Sequence, residues 1–379
     1  MRLVPVECVK EGSFLAKTIY DSEGRVLLRE GVKLNNVFLN RIKLIKIFSV
    51  YINDEYSDNI IEDVIKPELR QKAIKTIKDT FVSFEKYNLY SSINTKNTNS
   101  NKNSDFIKEK QKYFLSIGDI ASNILEQVFS QKNALINVVD IKNLDSYTYQ
   151  HSVNVAVLSL VLGLQLQLNK FELYCLCLGA LLHDIGKVFV PNEIIQKYDK
   201  LTENEYAVVK EHSQKGYDYL KNSPDISAMA RIIALQHHER INGKGYPEGR
   251  KGEEINKLAR IVAITDVYDA LTSDRPHRRA LSPNEALEFI MAGGGTLFDY
   301  TMVLAFSKAV VPYAEGTLVK LTNGDIAVVE SNNPNYPLRP KIKIIKSADE
   351  TARKNIHLDL MEVLDRVIEG VQYDIPEFG

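Results

Sequence analysis

Two histidines stand side by side at His237 and His238, followed at once by Glu239. A dense turn then runs from Arg240 to Pro247, with two glycines, a tyrosine and a proline. His183-Asp184 lies upstream, and Asp266 opens the run DVYDALTSDRP downstream. Five of the seven histidines fall between residues 151 and 238. The candidate set is His151, His183, Asp184, His212, His237, His238 and Asp266. Imidazole and carboxylate together suit iron, manganese or zinc. A carboxylate has two oxygens, so Asp184 could bridge two ions. Two cations roughly 3.5–4 Å apart form the usual clamp for phosphoryl transfer.

The bland reading competes residue by residue. Any one of these histidines alone reads as a core or surface side chain. Taken together, each sits in an apolar or glycine-containing context where a buried polar group needs a partner. One difficulty is local: on a continuous helix His183 and Asp184 point about 100° apart. They reach one centre only if that helix faces a cleft.

The elements that must position this set read as helices. From Asn133 to Tyr313 the pattern is helical, with linkers at 189–201, 221–225, 241–256 and 274–283. Thr202 to Glu205 and Ser282 to Glu285 carry helix-start signals. A helix is expected over Pro67 to Tyr87 and another over Phe106 to Ser130. The Asn- and Ser-rich residues 91–105 between them read as a mobile loop. Residues 1–60 read as a small α+β module, with a hairpin around Asp21 to Gly24 and an amphipathic stretch from Leu34 to Ile47. Near the C-terminus Asn323-Gly324 marks another hairpin, KIKIIK supplies a further strand, and a polar tail follows. The fold class is mainly α: a helical bundle with a small C-terminal antiparallel sheet, preceded by the α+β module. The division is 1–60, connecting helices over 61–130, and a main domain over 131–379.

Composition narrows the partners. The chain has 379 residues, with 48 Lys plus Arg against 49 Asp plus Glu. So balanced a charge gives no reason to expect a nucleic-acid polymer or an anionic membrane. The N-terminal run is not a signal peptide in pattern. The longest uncharged stretch, Ser152 to Asn169, is too polar for a membrane span. Cys8, Cys175 and Cys177 show no disulfide framework, which fits a reducing cytoplasm. The latter two read as small buried hydrophobes.

His183-Asp184-Ile185-Gly186-Lys187 and His237-His238-Glu239 with Gly243 to Pro247 resemble an HD-GYP domain, a subgroup of the HD phosphohydrolases. The resemblance covers about residues 110–345 and implies an HD-type bundle of helices. It implies that His151, His183, Asp184 and Asp266 hold one metal, and His212, His237 and His238 a second, with Asp184 bridging. Iron or manganese is the implied pair. Lys187 is implied near the substrate phosphate and, with Asp184, in catalysis. Arg275 and Arg278 fall at basic phosphate-holding positions, and Tyr246 at the pocket wall. Plain alternatives stay open: an ion pair for Arg275, a solvated helix start for Arg278, and loop packing for Tyr246.

Two positions depart from the family pattern. Asn242 stands where aspartate is usual; an amide can still brace a turn, so the metals are expected to stay. Tyr147 occupies the place of a glutamate that holds a third metal in some members, and a phenol is a poor ligand there. Asp269, one turn after Asp266, either orients a ligand or serves structure. Glu239 is assigned to holding the structure and not to catalysis, His277 to facing solvent or a ligand phosphate, and His357 to the surface. The implied activity is hydrolysis of cyclic di-GMP to pGpG, with possible onward cleavage to GMP, by a water that the two cations activate. Another cyclic dinucleotide or nucleotide as substrate, or a silent binding protein, remain the alternatives. Homodimerisation through the front module stays open.

Overall fold

The N-terminal β-prone runs pair into a three-stranded sheet and a separate two-stranded one. The strands are β1 (Arg2–Pro5), β2 (Phe14–Leu15), β3 (Ile19–Tyr20), β4 (Val26–Leu28) and, after helix α1 (Asn36–Leu44), β5 (Ser49–Asn53). β5 lies between β1 and β2, antiparallel to both, while β3 and β4 form the hairpin around Asp21. Asn35 caps α1 by accepting from the Phe38 amide; a side-chain oxygen there satisfies an otherwise orphaned donor. Val4, Leu15, Leu34, Ile42 and Val50 form this module's own core. Arg2 pairs with Asp54 at 2.7 Å and donates to the Tyr373 carbonyl at 3.0 Å, tying the module to the far end of the chain.

The computed structural model describes the chain apart from residues 22, 58–62, 94–99, 131–146, 196, 198, 274–279, 334, 349–355 and 375–379. Helices α2 (Pro67–Ile93) and α3 (Ser100–Ser130) both reach into the stretch read as a loop over 91–105. That expectation is corrected: helix continues to Ile93 and resumes at Ser100, and residues 94–99 lie outside the described set. Weak local propensity is overridden because extending an existing helix costs far less than nucleating one.

The main bundle follows: α4 (Tyr147–Gln165), α5 (Lys170–Leu182), α6 (Asn192–Ile195), α7 (Glu203–Lys221), α8 (Ala228–Gln236), α9 (Lys257–Leu271), α10 (Pro283–Ala292) and α11 (Tyr300–Ala309). α6 lies in a stretch read as linker. α4 buries every residue from His151 to Gly163, so it is the central helix rather than an amphipathic surface one. α5 and α9 pack against it, and α8 packs on α5. Cys175 and Cys177 are buried in α5 as apolar filling. The expected start signals are real caps: Thr202 with Glu205, and Ser282 with Glu285.

β6 (Leu318–Leu321), β7 (Ile326–Ser331), β8 (Lys341–Lys346), β9 (His357–Asp359) and β10 (Ile368–Val371) close the chain as an antiparallel sheet of order β10-β6-β7-β8-β9. Gly324 turns the first hairpin at φ 88°, a backbone angle that favours glycine. The expected polar tail is corrected, since it supplies both edge strands. Edge strands are short and polar in general, which hides them from a hydrophobic pattern. Among the described residues no helix is long and apolar enough to cross a membrane.

Candidate metal centre

Five helices deliver the candidate side chains to one place. His151 lies in α4, His183 caps α5, His212 lies in α7, His237 caps α8 and Asp266 lies in α9. α5 ends at Leu182, His183 keeps helical angles, and Asp184 turns to φ −95°, ψ 6° to start a 3-10 turn over Ile185–Phe189. This break resolves the divergence expected of two adjacent side chains. α7 lies so close to that turn that a Cβ on Gly186 would sit 1.9 Å from the His212 carbonyl oxygen.

The donor atoms fall into two groups able to hold a metal ion. One gathers Asp184, His212, His237 and His238; the other gathers His151, His183 and Asp266; within each group the atoms lie within 4.8 Å of one another. Asp184 reaches both. Its Oδ1 is 3.5 Å from His212 Nε2, and its Oδ2 is 3.3 Å from His183 Nε2 and 3.9 Å from His151 Nε2. His151 Nε2 lies 3.1 Å from Asp266 Oδ1, and His238 Nδ1 lies 3.8 Å from Asp266 Oδ2.

The ring orientations have local causes. Nδ1 of His183, His212 and His237 faces the carbonyl three residues back, at 2.7, 2.6 and 3.0 Å. A carbonyl only accepts, so Nδ1 carries the proton and the Nε2 lone pair points inward. His151 Nδ1 lies 2.8 Å from Asp269 Oδ2, with the same effect. Asp269 therefore orients a candidate ligand. His183 Nε2 is buried without a hydrogen-bond partner, the state of a nitrogen shaped for a cation. The C-terminal ends of α5 and α8 also turn their negative dipole poles toward the cluster.

Electrostatics agree with that reading. Burial pushes His237 down to about 3, helped by His183 and His212, and it pushes His212 and His238 down as well. These imidazoles are neutral at ordinary pH. Burial would raise Asp184, but the Lys187 ammonium and His183 outweigh it and hold the carboxyl well below its usual range. For Asp266 the hydrogen bond from His151, with His238 beside it, outweighs burial in the same way. For His151 itself, burial lowers the pKa, and the bonds to Asp266 and Asp269 raise it further than burial lowers it. Neutral His212, His237 and His238 beside the ionised carboxylates of Asp184 and Asp266 are donors that suit a divalent cation.

Residues 120–302 match the HD domain family, and residues 318–372 match the KOW domain associated with HD domain. A Pseudomonas aeruginosa protein named cyclic di-GMP phosphodiesterase is 41% identical over 230 residues, 61% of this chain and 55% of that protein. The Xanthomonas campestris cyclic di-GMP phosphodiesterase response regulator RpfG is 44% identical over 136 residues, 36% of each chain. Residues 120–302 are an HD domain of the HD-GYP family. A Vibrio cholerae 3'3'-cGAMP-specific phosphodiesterase is also 40% identical over 166 residues, 44% of this chain and 38% of that one. The chain thus spans 55% or less of these three relatives' lengths.

The GYP loop of this HD domain is folded back by Glu239. Its carboxylate accepts from the amides of Glu248, Gly249 and Arg250 at 2.7, 3.1 and 3.0 Å. A Cβ on Gly245 would lie 2.4 Å from the Glu239 Cα, so only glycine lets the loop cross there. Asn242 accepts from the Lys244 amide at 3.0 Å, the turn bond an aspartate would also make. The Tyr246 ring lies against His238 at 4.6 Å between centroids, and burial pushes its phenol pKa up. Tyr147 stacks on His151 at 5.5 Å and 13°. Lys187 Nζ sits 2.5 Å from Asp184 Oδ2, with its side chain 30% exposed. Arg275, Arg278 and His277 lie outside the described residues. His357 is exposed on the C-terminal sheet and pairs with Glu330.

Sequence reasoning passed over Asn154 and Arg240. Asn154 Nδ2 donates to Asp269 Oδ1 at 3.1 Å. Its place three residues after His151, on the same helix face, was the available signal. Arg240 donates to the His237 and Glu239 carbonyls and lies over the Phe298 ring. Nothing in its spacing distinguishes it from a solvated loop cation.

Proposed function

We propose that this chain is a metal-dependent phosphodiesterase that hydrolyses cyclic di-GMP to linear pGpG, and onward to GMP on longer exposure. The observation that carries the reading is Asp184, whose two oxygens face the two groups at 3.5 Å and 3.3 Å. One carboxylate between two imidazole sets is what a paired-cation hydrolase requires. The names of the Pseudomonas and Xanthomonas relatives support the substrate.

His151, His183, Asp184 and Asp266 would hold one divalent ion, and Asp184, His212, His237 and His238 the other. Iron or manganese fits this mixture of nitrogen and oxygen. Such a pair, when bound, activates a water and neutralises a phosphate oxygen. Lys187 stands at the mouth and supplies positive charge to the phosphate in the transition state. Tyr246 forms the wall on the His238 side, where a guanine can stack. Arg275 and Arg278 are kept as fork-like phosphate donors. Tyr147, stacked on His151, leaves the count at two ions. Residues 1–60 are assigned to regulation, 61–130 to connecting helices and 131–379 to catalysis. The free thiols of Cys8, Cys175 and Cys177 fit a cytoplasmic enzyme.

The test is anaerobic incubation of purified protein with cyclic di-GMP and Mn²⁺ or Fe²⁺, with products separated by chromatography. The reading expects pGpG; no product with either metal overturns it. A second reading, another cyclic dinucleotide as substrate, is favoured by the likeness to the 3'3'-cGAMP-specific Vibrio protein. Faster turnover of 3'3'-cGAMP in a competition assay would select it.

A further inference from the structure

Arg70, near the start of α2, lies outside the residues that match the HD domain. It is buried, 7% exposed, and its Nη1 donates to Asn154 Oδ1 at 2.6 Å. Asn154 Nδ2 donates to Asp269 Oδ1 at 3.1 Å, and Asp269 Oδ2 meets His151 Nδ1 at 2.8 Å. Asn154, Asp269 and His151 are 1%, 3% and 2% exposed. Four consecutive side chains thus run from the edge of the bundle to a candidate metal ligand, shielded from water.

Donor and acceptor roles along this line follow from chemistry. A guanidinium only donates, so Asn154 must present its oxygen to Arg70. Its NH₂ is then forced toward Asp269. An ionised carboxylate only accepts, so His151 must carry its proton on Nδ1. Nε2, which lies 3.1 Å from Asp266 Oδ1, is then the nitrogen that would face a cation. Without Arg70 the buried Asn154 oxygen loses this charged donor, and the amide that holds Asp269 loses its anchor.

We propose that Arg70 is a positioning residue for the metal centre, acting through Asn154 and Asp269 to fix the tautomer and aim of His151. The inference rests on the two-ion reading above. The Arg70 end of this line also borders the front module. Arg70 lines a cavity of about 140 Å³ together with Lys17 and Tyr51 of that module, and with Asp63 and Gln150.

The experiment titrates metal-free full-length protein with Mn²⁺ and counts bound ions and their affinities, with a thermal melt as the check on folding. For Arg70→Met one ion is expected to bind about tenfold more weakly, the scale of loss when a ligand's outer partners are removed, while the other keeps its affinity. Arg70→Lys, which still only donates, weakens the same ion less than Arg70→Met does, and serves if Arg70→Met does not fold. Asn154→Leu combined with Arg70→Met should add little to Arg70→Met alone. Wild-type affinity for both ions in the Arg70 variants, equal weakening of both, or additive effects of the two substitutions would overturn the proposal while leaving the two-ion reading intact. A wild-type protein that binds no ion would overturn both.

Discussion

The Lys187 ammonium lies 2.5 Å from Asp184 Oδ2, the same carboxylate oxygen that faces His183 and His151. The two residues are three apart, across the break that ends α5. A charge on that turn is held beside the paired donors and still reaches solvent. Its expected task is to stabilise the phosphate, not to hold metal. Lys187→Met should therefore keep the metal content and lower kcat about a hundredfold. Elemental analysis beside steady-state kinetics checks both halves, and loss of metal in the variant would refute the assignment.

The buried histidines set a pH dependence for the metal-free protein. His237 is shifted from 6.5 down to about 3, and His212 and His238 move the same way. The unfolded chain then binds more protons between about pH 6.5 and 3, so stability falls as pH falls through that window. His237 alone contributes about 2 kcal/mol of loss between pH 6.5 and 5. His151 is shifted upward, so its effect lies above that window. Chemical unfolding of chelated protein at pH 7 and pH 5 measures the difference, and His237→Gln should flatten it.

Gly186→Ala tests the packing that carries His212. The added Cβ would meet the His212 carbonyl at 1.9 Å. Backbone cannot yield as a side chain end does, so α7 must move. A loss of about 3 kcal/mol is expected, at the upper end for overpacking. The variant should also hold fewer ions, read by thermal melting and metal analysis.

Glu239→Gln separates the loop from the metals. The carboxylate gathers three backbone amides, and a neutral amide offers one acceptor oxygen in place of two. The GYP loop should loosen, raising KM about tenfold at the cost of one or two charge-assisted bonds. The metal content should be unchanged.

The candidate set was legible because histidine and aspartate are chemically distinctive and their neighbours apolar. His183 and Asp184 could be named from sequence, yet the break that aims them together could not. It depends on α7 packing against the turn at Gly186. The same holds for Arg70 and Asn154, which are 84 residues apart in sequence. The front hairpin and the Asn323-Gly324 turn were readable because a local rule governs them. β9 and β10 were not, since short polar edge strands carry almost no pattern. Residues 91–93 and 100–105 were misread because composition reports propensity, whereas helix extension depends on the turn already formed.

The central claim is that seven side chains hold two cations with Asp184 between them. Metal analysis of anaerobically purified protein, wild type beside Asp184→Asn, tests it most directly. Two ions per wild-type chain are predicted, with clear loss from both groups in the variant, because an amide lacks the charge and the second anionic oxygen. A wild-type protein that hydrolyses cyclic di-GMP while holding no metal would contradict the account, as would an Asp184→Asn variant that keeps both ions.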